Sequence, residues 1–262
     1  MEKIELKHCM DLDANDPLRE LRSEFLLAET GSIHFDANSM GAMPKTVPEK
    51  VAWILNEGWR NLGRQGWSKL DWIDQPKKLG NGIAHLLGAQ PEDVVVCDNT
   101  SINLHKLISY AWGIKNSGNI LLTESNHFPT DVYIAEGWIK SLKNYGVDAE
   151  IRFADSHEQL LDCLDENVAV VNVSYVDYRT SLRWDMGRLM QKAQEVGALV
   201  VWDLSHAAGA VEIDLMGNDA DFAVGCGYKY LCGGPRAPAY LFIHQNQKNK
   251  QQLESGFQIK LI

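Results

Sequence analysis

The sequence lacks any apolar run that could cross a membrane. Its longest such runs, for example NVAVVNV, fall far short of the about 20 apolar residues that a spanning helix needs. The N-terminal stretch MEKIELKHCMDLDANDPL also has no apolar segment of the kind that a secretory signal carries after its charges. We therefore expect a cytoplasmic protein with neither a membrane partner nor an export segment.

Basic charge and cysteine motifs are also scarce. The 25 Lys and Arg residues are outnumbered by 35 Asp and Glu, which gives a formal net charge of −10. Nucleic-acid binding needs a concentrated basic surface, so we expect no nucleic-acid partner. The cysteines lack CxxC spacing and have no histidine at metal-ligand spacing, which predicts reduced thiols and no metal site. These cysteines are Cys9, Cys97, Cys163, Cys226 and Cys232.

Short β-branched runs alternate with amphipathic stretches from about residue 94 onward. Runs that are apolar on both faces are typical of strands covered by helices in a mostly parallel sheet. The pattern predicts a doubly wound α/β domain. The predicted strands are DVVVCD, NILLTE, AEIRF, NVAVVNVS, ALVVWD, DFAVG and AYLFI.

The N-terminal third has a less regular pattern. We predict a helix over residues 18–29, begun by Asp16 and Pro17, then a short strand at IHF, a loop, and a helix over residues 48–59. The segment HQNQKNKQQLESG near the C-terminus is abruptly polar. The predicted divisions are an arm and loop (1–45), a large α/β domain (46–243) and a polar tail (244–262).

Polar side chains follow five of the predicted strands, at the point where each strand ends. In open α/β sheets the ligand binds beyond the carboxyl ends of the strands, so these residues are the candidate site. They are residues 98–101, residues 124–128, Ser174, residues 203–206 and residues 227–229.

Lys229 and Asp203 suggest a specific chemistry at these strand ends. A lysine amine must be neutral to attack an aldehyde, and a dry cleft favours the neutral form. In pyridoxal-phosphate enzymes a carboxylate faces the ring nitrogen, so Asp203 is the candidate for that role and Lys229 for the imine. The alternatives are that Asp203 caps the following turn, that His206 is an ordinary surface histidine, and that Lys229 extends to solvent.

Two further junctions would complete such a site. Thr100 and Ser101 stand where a strand gives way to a helix, so their hydroxyls and the free N–H groups of the helix could bind a phosphate. Phe128 and Asp131 flank a proline at another junction, where an aromatic ring could stack on a pyridine ring. An ordinary helix cap and ordinary core packing are the alternatives.

Several segments together resemble the kynureninases, which are pyridoxal-phosphate enzymes of fold type I in the class V aminotransferase branch. The resemblance covers about residues 31–243, and the stretch YKYLCGGP is its most specific part. The other segments are IHFDANSMGAMPKTVPEKV, DWIDQPKKLGNGIAHLLGA, NTSINLHKL, HFPTDVY, SYVDYRT and VVWDLSHAAGAVEIDL.

The resemblance implies a role for each matching residue. Lys229 would form the imine with the cofactor, Asp203 would bind the pyridine nitrogen and His206 would lie close by. Thr100, Ser101 and Tyr228 would hold the phosphate, and Phe128 would stack on the ring within the 128–131 turn. The remaining implied site residues are Pro129, Thr130, Asp131 and Ser174, with Asn38 and Trp67 near the substrate. Gly225, Gly227, Gly233 and Gly234 are expected to leave room for the cofactor and to form tight turns.

The implied reaction is the hydrolysis of L-kynurenine, or of 3-hydroxykynurenine, to anthranilate or its 3-hydroxy form and L-alanine. Lys229 would act as base and Tyr228 as an acid/base relay. The family is dimeric and has a C-terminal small domain that is expected to be missing here. Other class V enzymes stay open, although a desulfurase would have histidine where this chain has Tyr228. A catalytically silent protein that binds pyridoxal phosphate also stays open.

Overall fold

The predicted strands form one twisted sheet in the computed structural model, which describes residues 5–29, 31–115 and 117–248. The sheet has seven strands in the order β3-β9-β8-β7-β6-β4-β5. Each strand coincides with a run that the sequence predicted, β5 extending one residue past its run, which confirms the α/β class. The strands are β3 (Val94–Val96), β4 (Ile120–Glu124), β5 (Glu150–Ala154), β6 (Val168–Ser174), β7 (Leu199–Asp203), β8 (Phe222–Gly225) and β9 (Tyr240–Ile243).

The direction of the strands places the polar strand ends at one edge. Strands β4 to β8 run parallel to one another, as the pairings β4·β5, β4·β6, β6·β7 and β7·β8 show. Strand β9 is antiparallel to both β8 and β3, so β3 runs in the same direction as β4 to β8. The carboxyl ends of all strands except β9 therefore meet at one edge, as the sequence predicted.

Helices cover both faces of the sheet and divide the core into two layers. One layer packs α5 and α6 against the sheet, and the other packs α4, α7 and α8. No helix in the described part of the chain is long and apolar enough to cross a membrane. The helices are α1 (Leu6–Asn15), α2 (Val47–Trp53), α3 (Gly66–Lys69), α4 (Gln75–Leu86), α5 (Thr100–Ile114), α6 (Pro129–Asn144), α7 (His157–Asp162) and α8 (Met186–Val196).

The N-terminal region differs from its prediction. Residues 18–29 do not form the predicted α-helix. A short 3₁₀-helix spans Arg19–Glu24, and the strand β1 (Phe25–Leu26) pairs with β2 (Met43–Pro44). An isolated helix of this length is stable only when one face is buried. Leu18 and Leu21 stay 63% and 54% exposed, so that burial is absent here.

Two neighbouring predictions also need correction. No strand forms at IHF, where Ile33 and Phe35 are 79% and 90% exposed. The helix expected over residues 48–59 exists, but only α2 is α-helical; the chain continues as a π-helix over Ile54–Leu62 and stops at Gly63, which has a φ of 49°. Gly63 ends the helix because its backbone enters the left-handed half of φ space, which glycine tolerates.

The first residues of the predicted tail pack on the domain. The Tyr110 hydroxyl donates to the Gln247 carbonyl at 2.6 Å, and the Gln247 amide donates to Asp221 Oδ1 at 2.6 Å. Residues 249–262 lie outside the described residues. The predicted boundaries at 45 and 243 stay predictions.

Helix α4 offers a stability prediction with a matched control. A Cβ on Gly80 would lie 2.1 Å from the Val94 carbonyl oxygen, whereas one on Gly82 would meet nothing within 4 Å. Because α4 would have to move off β3, we expect Gly80→Ala to lower the free energy of unfolding by about 1–3 kcal/mol. Gly82→Ala should raise it by up to about 1 kcal/mol. Urea unfolding measures both, and equal effects would contradict the close packing of α4 on β3.

Candidate active site

A cavity of about 350 Å³ opens at the carboxyl edge of the sheet. Its walls come from the segments at the ends of β3, β4, β7 and β8, together with the loop that leads into β9. This is the edge to which the sequence assigned the ligand. The lining residues are Asn99, Thr100, Ser101, Phe128, Thr130, Asp131, Asp203, Ser205, Tyr228, Lys229, Ala237 and Ala239.

Lys229 places its amine inside the cavity. The residue is 7% exposed, so the alternative of a side chain that extends to solvent is wrong. Its Nζ lies 2.9 Å from His206 Nε2 and 5.5 Å from the centre of the Phe128 ring. The chain reaches this position four residues after β8 ends at Gly225. The lysine thus approaches the cavity from a loop and not from the strand itself.

Asp203 is the last residue of β7 and is 5% exposed. The Ser205 backbone N–H donates to its Oδ1 at 2.8 Å, and the Ser174 hydroxyl donates to its Oδ2 at 3.4 Å. These bonds orient the carboxyl group from below while it lines the cavity. Asp203 therefore does cap the following turn, and the same carboxyl is also available to a ligand.

Asp131 adds a second buried carboxyl to the cavity. Burial raises the pKa of Asp131 well above its usual range, and the charge of Asp203 acts in the same direction. Lys229 lowers this pKa, but by less than either of these two causes raises it. Burial and the neighbouring charge therefore favour the protonated form of Asp131.

The N-terminus of α5 forms another wall. Asn99 caps this helix by accepting a bond from the Ile102 N–H at 3.0 Å, and the first turn presents Thr100 and Ser101 to the cavity. The first N–H groups of a helix have no partner within it, and the helix dipole is positive there. Two hydroxyls and free N–H groups therefore converge where an anionic group can bind.

The 128–131 turn forms the opposite wall. Phe128 is the N-cap of α6, with Pro129 at the first helical position and exposed. The Phe128 ring packs edge to face against Tyr178, with ring centres 5.2 Å apart, and it lines the cavity together with Thr130. An aromatic ring at this position can stack on a flat ligand in the cavity.

His206 and Tyr228 connect the cavity to the N-terminal loop. His206 Nε2 lies 3.2 Å from the Asn38 carbonyl oxygen, and the Tyr228 carbonyl accepts a bond from the Gly41 N–H at 2.9 Å. Burial and the nearby Lys229 charge lower the pKa of His206, so its ring is neutral at neutral pH. Burial is also the main cause of the raised pKa of Tyr228, whose hydroxyl therefore keeps its proton.

The structure brings most of the predicted residues together. Eight line the cavity, while Ser174 and His206 contact the lining residues Asp203 and Lys229. Pro129 begins helix α6, and Asn38 contributes its backbone carbonyl, which lies near His206. Trp67 is 55% exposed and does not line the cavity within the described residues. The eight are Thr100, Ser101, Phe128, Thr130, Asp131, Asp203, Tyr228 and Lys229.

Sequence reasoning gave no role to Ala237 and Ala239, which line the cavity from the loop between β8 and β9. Alanine carries no chemistry that a pattern can detect. Tyr178 was also missed, although it packs on Phe128 and stacks on His206 with ring centres 6.2 Å apart. Its place in the segment SYVDYRT, directly after β6, was the available signal.

The glycines near Lys229 allow close packing of the chain, and one of them forms the expected kind of tight turn. A Cβ on Gly225 would lie 2.1 Å from the Tyr240 hydroxyl, and one on Gly227 would lie 2.4 Å from the Pro238 carbonyl. Gly233 likewise faces the Gly227 carbonyl, and only Gly234 of the four has a positive φ, of 84°. Close packing around this loop requires three of these glycines, and a tight turn requires the fourth. That they leave room for the cofactor stays a prediction.

The residues present fit pyridoxal phosphate. The cavity combines a buried amine for an aldehyde, a buried carboxylate for a ring nitrogen, and a helix N-terminus for a phosphate. Asp131 Oδ2 is buried and lacks a hydrogen-bond partner within the described residues, so this oxygen is available to bind a polar group of a ligand. These groups surround one space, as the chemistry of the cofactor requires.

Comparison with known sequences places the chain in a family. The profile described as Aminotransferase class-V matches residues 33–256, past the predicted boundary at 243. A kynureninase of Pseudomonas fluorescens is 41% identical over 239 residues, which are 90% of this chain and 56% of that protein. A kynureninase of Burkholderia mallei is 38% identical over 256 residues, 96% of this chain and 61% of that protein. The chain thus spans about three fifths of the length of these curated relatives.

Solved structures share the fold at much lower identity. A cysteine desulfurase of Escherichia coli superposes with a TM-score of 0.72 at 16% identity, over 88% of this chain and 59% of that one. A cysteine desulfurase of Thermococcus onnurineus gives 0.66 at 20% identity, over 94% of this chain and 59% of that one. These likenesses support the fold alone. On the extent of the profile match, the chain belongs to the aminotransferase class-V family.

Proposed function

We propose that this chain is the cofactor-binding part of a pyridoxal-phosphate-dependent kynureninase, which hydrolyses L-kynurenine to anthranilate and L-alanine. The observation that carries the proposal is the buried Lys229 amine in a strand-end cavity that also holds the Asp203 carboxyl. An amine and a carboxyl that are both buried and line one cavity mark a candidate functional site. The identity to kynureninases supports the choice of substrate within the family.

Four features of the cavity would hold the cofactor. Lys229 would bind its aldehyde carbon, and Asp203 its ring nitrogen. The N-terminus of α5 would bind the phosphate with Thr100 and Ser101, joined by the Tyr228 hydroxyl. Phe128 would stack on the ring. When bound, pyridoxal phosphate supplies an electron-accepting ring that stabilises negative charge at the substrate's α-carbon.

The chain's own groups would move the protons. Once the substrate's amino group has replaced it, the Lys229 amine can take the α-proton at Nζ. His206 Nε2, 2.9 Å away, orients that amine. The Tyr228 hydroxyl stays protonated because burial raises its pKa, so it can donate a proton to the substrate carbon and recover one from water.

The assembly and location follow from the same relatives and are part of the proposal. Apolar side chains such as Phe35 and Trp59 are 90% and 70% exposed, which supports a homodimer that covers them. The described cysteines form no disulfide, which supports a reducing cytoplasm.

The test is production of anthranilate. The chain is loaded with pyridoxal phosphate, L-kynurenine is added, and anthranilate fluorescence is followed. A parallel sample also receives, as a separate chain, the portion of the Pseudomonas fluorescens kynureninase that the alignment leaves uncovered. We expect anthranilate in the supplemented sample, because this chain covers only 56% of that relative.

L-cysteine with detection of sulfide is the control for the desulfurase alternative. Tyr228 stands where a desulfurase is expected to have histidine, so we expect no sulfide. Sulfide release from L-cysteine, or a supplemented sample that binds both components and yields no anthranilate, would contradict the kynureninase proposal. Binding of the cofactor without any turnover would support the catalytically silent alternative.

A further inference from the structure

Four polar side chains cluster beneath the cavity. His127 Nε2 lies 3.7 Å from Asp131 Oδ2, and burial and the charge of Asp203 raise the pKa of Asp131. The Ser174 hydroxyl donates to Asp203 Oδ2 at 3.4 Å and lies 3.3 Å from His127 Nδ1. The proposed function assigns no role to His127.

The surroundings of His127 determine its tautomer. The Phe128 backbone N–H donates to Nδ1 at 2.7 Å, so Nδ1 is an acceptor. The imidazole is fully buried, and burial lowers its pKa to about 4, which keeps it neutral. A neutral imidazole whose Nδ1 accepts must carry its proton on Nε2. His127 therefore offers one N–H donor, directed away from the backbone.

Asp131 is one of two residues available to that donor. Nε2 of His127 and Oδ2 of Asp131 are buried and have no hydrogen-bond partner among the described residues, and the same holds for both amide atoms of Asn172. The other groups that act on His127 are Asp203, Asn172 and Asp177, and Lys229 acts on Asp131 from the cavity side. Of these, only the Asn172 amide competes with Asp131 as a partner of the imidazole.

The cluster favours a single negative charge. Burial keeps His127 neutral, and burial together with the charge of Asp203 favours the protonated form of Asp131, so the remaining charge is that of Asp203. A single negative charge matches a single positive charge on a protonated ring nitrogen. An unpartnered second carboxylate would instead leave an uncompensated buried charge.

We propose that His127 is a positioning residue, whose Nε2–H aligns Asp131 beside Asp203 so that the two carboxyls present one negative charge to a protonated ring nitrogen. The inference rests on the proposed function, since that nitrogen belongs to pyridoxal phosphate. His127 does not touch the reacting atoms and acts through the two aspartates.

Two amide substitutions separate the functions of the imidazole nitrogens. His127→Gln carries an amide N–H out to the reach of Nε2 but loses the acceptor that Nδ1 provides. His127→Asn keeps an acceptor for the Phe128 N–H but cannot reach Asp131. Asn172→Leu removes the competing partner at similar volume. Each variant of the 262-residue chain is titrated with pyridoxal phosphate, and nitrogen-15 NMR of the labelled cofactor reports whether its ring nitrogen is protonated.

We expect His127→Asn to bind pyridoxal phosphate about tenfold more weakly, as the loss of one buried hydrogen bond predicts. Its ring-nitrogen signal should shift toward the unprotonated form at neutral pH. The affinity of His127→Gln for pyridoxal phosphate should stay within about threefold of the parent's, a change near the size of a weak neutral hydrogen bond. Its ring nitrogen should remain protonated, as should that of Asn172→Leu.

The opposite order of the two amide variants would overturn the inference, because it would show that His127 serves only to accept the Phe128 N–H. Equal behaviour of both variants, with or without loss of binding, would overturn it as well. A loss in Asn172→Leu that matches the one in His127→Asn would identify Asn172 as the partner instead. If the parent chain itself forms no imine with pyridoxal phosphate, the proposed function fails, which is a separate result.

Discussion

Lys229→Ala should abolish covalent binding of pyridoxal phosphate altogether. We expect the parent chain to develop a visible imine absorbance band with the cofactor, and borohydride to convert that imine into a stable adduct on Lys229. Imine formation needs an amine within reach of the aldehyde, and Lys229 is the lysine that lines the cavity. Lys229→Arg should fail equally, because guanidinium keeps the charge but stays protonated.

Lys192→Ala is the matched control, since Lys192 is exposed on α8. It removes one lysine without changing the cavity and should keep the full band. Absorbance and the mass of the borohydride-treated protein give two independent measurements, and circular dichroism checks that each variant is folded. A full-strength band in Lys229→Ala, or an adduct mapped to another lysine, would contradict the cofactor assignment.

Asp203→Asn should weaken pyridoxal phosphate binding by about 10²–10³-fold, the cost of leaving one member of a buried charge pair without its partner. Asparagine has nearly the same shape and can still accept the Ser205 N–H, which donates to Oδ1 at 2.8 Å in the parent. The local backbone is therefore expected to survive. What the substitution removes is the negative charge that would keep the ring nitrogen protonated.

Two measurements test the effect of Asp203→Asn. One is a titration of the imine band, and the other is the rise in melting temperature that the cofactor produces, which should shrink as affinity falls. Asp219→Asn is the control: it also removes one negative charge, but in the exposed loop before β8, away from the carboxyl edge of the sheet. Equal affinities in the two variants would mean that Asp203 does not face the cofactor.

The unliganded Asp203→Asn protein should lose little stability. The charge of Asp203 disfavours the ionised form of Asp131 in the parent, so replacing Asp203 with an amide removes a repulsive interaction as well as an acceptor. The pKa of Asp131 should fall toward its ordinary value, since the charge of Asp203 is one of the causes that raise it. Urea unfolding without cofactor separates this small effect from the large loss of binding.

The strands and their polar ends were predictable because each depends on local pattern. An apolar run such as residues 168–174 forms a strand whose two faces are covered by helices. A carboxylate directly after such a run lies at the edge of the sheet, as Asp203 does after β7. Lys229 was predictable for a chemical reason, since a lysine among small residues at a strand end is unusual unless its amine is used.

The N-terminal helix failed because its prediction assumed a burial that the fold does not provide. Residues 18–29 have apolar residues at helical spacing, but Leu18 and Leu21 remain exposed and Phe25–Leu26 pairs with Met43–Pro44 instead. Helical stability comes largely from packing of the apolar face, which no local pattern reveals. The glycines around Lys229 are a similar case, because their close neighbours on β9 and its preceding loop are distant in sequence.

The sequence by itself determined the α/β class, the edge of the sheet that holds the site, and the amine and carboxylate expected to react there. Only the tertiary structure decided how the groups beneath the cavity act together. His127, Asp131, Ser174 and Asp203 come from three segments, and their contacts depend on distances of 3–4 Å. Protonation in a buried cluster is a property of the whole arrangement, since each group sets the charge that its neighbours can carry.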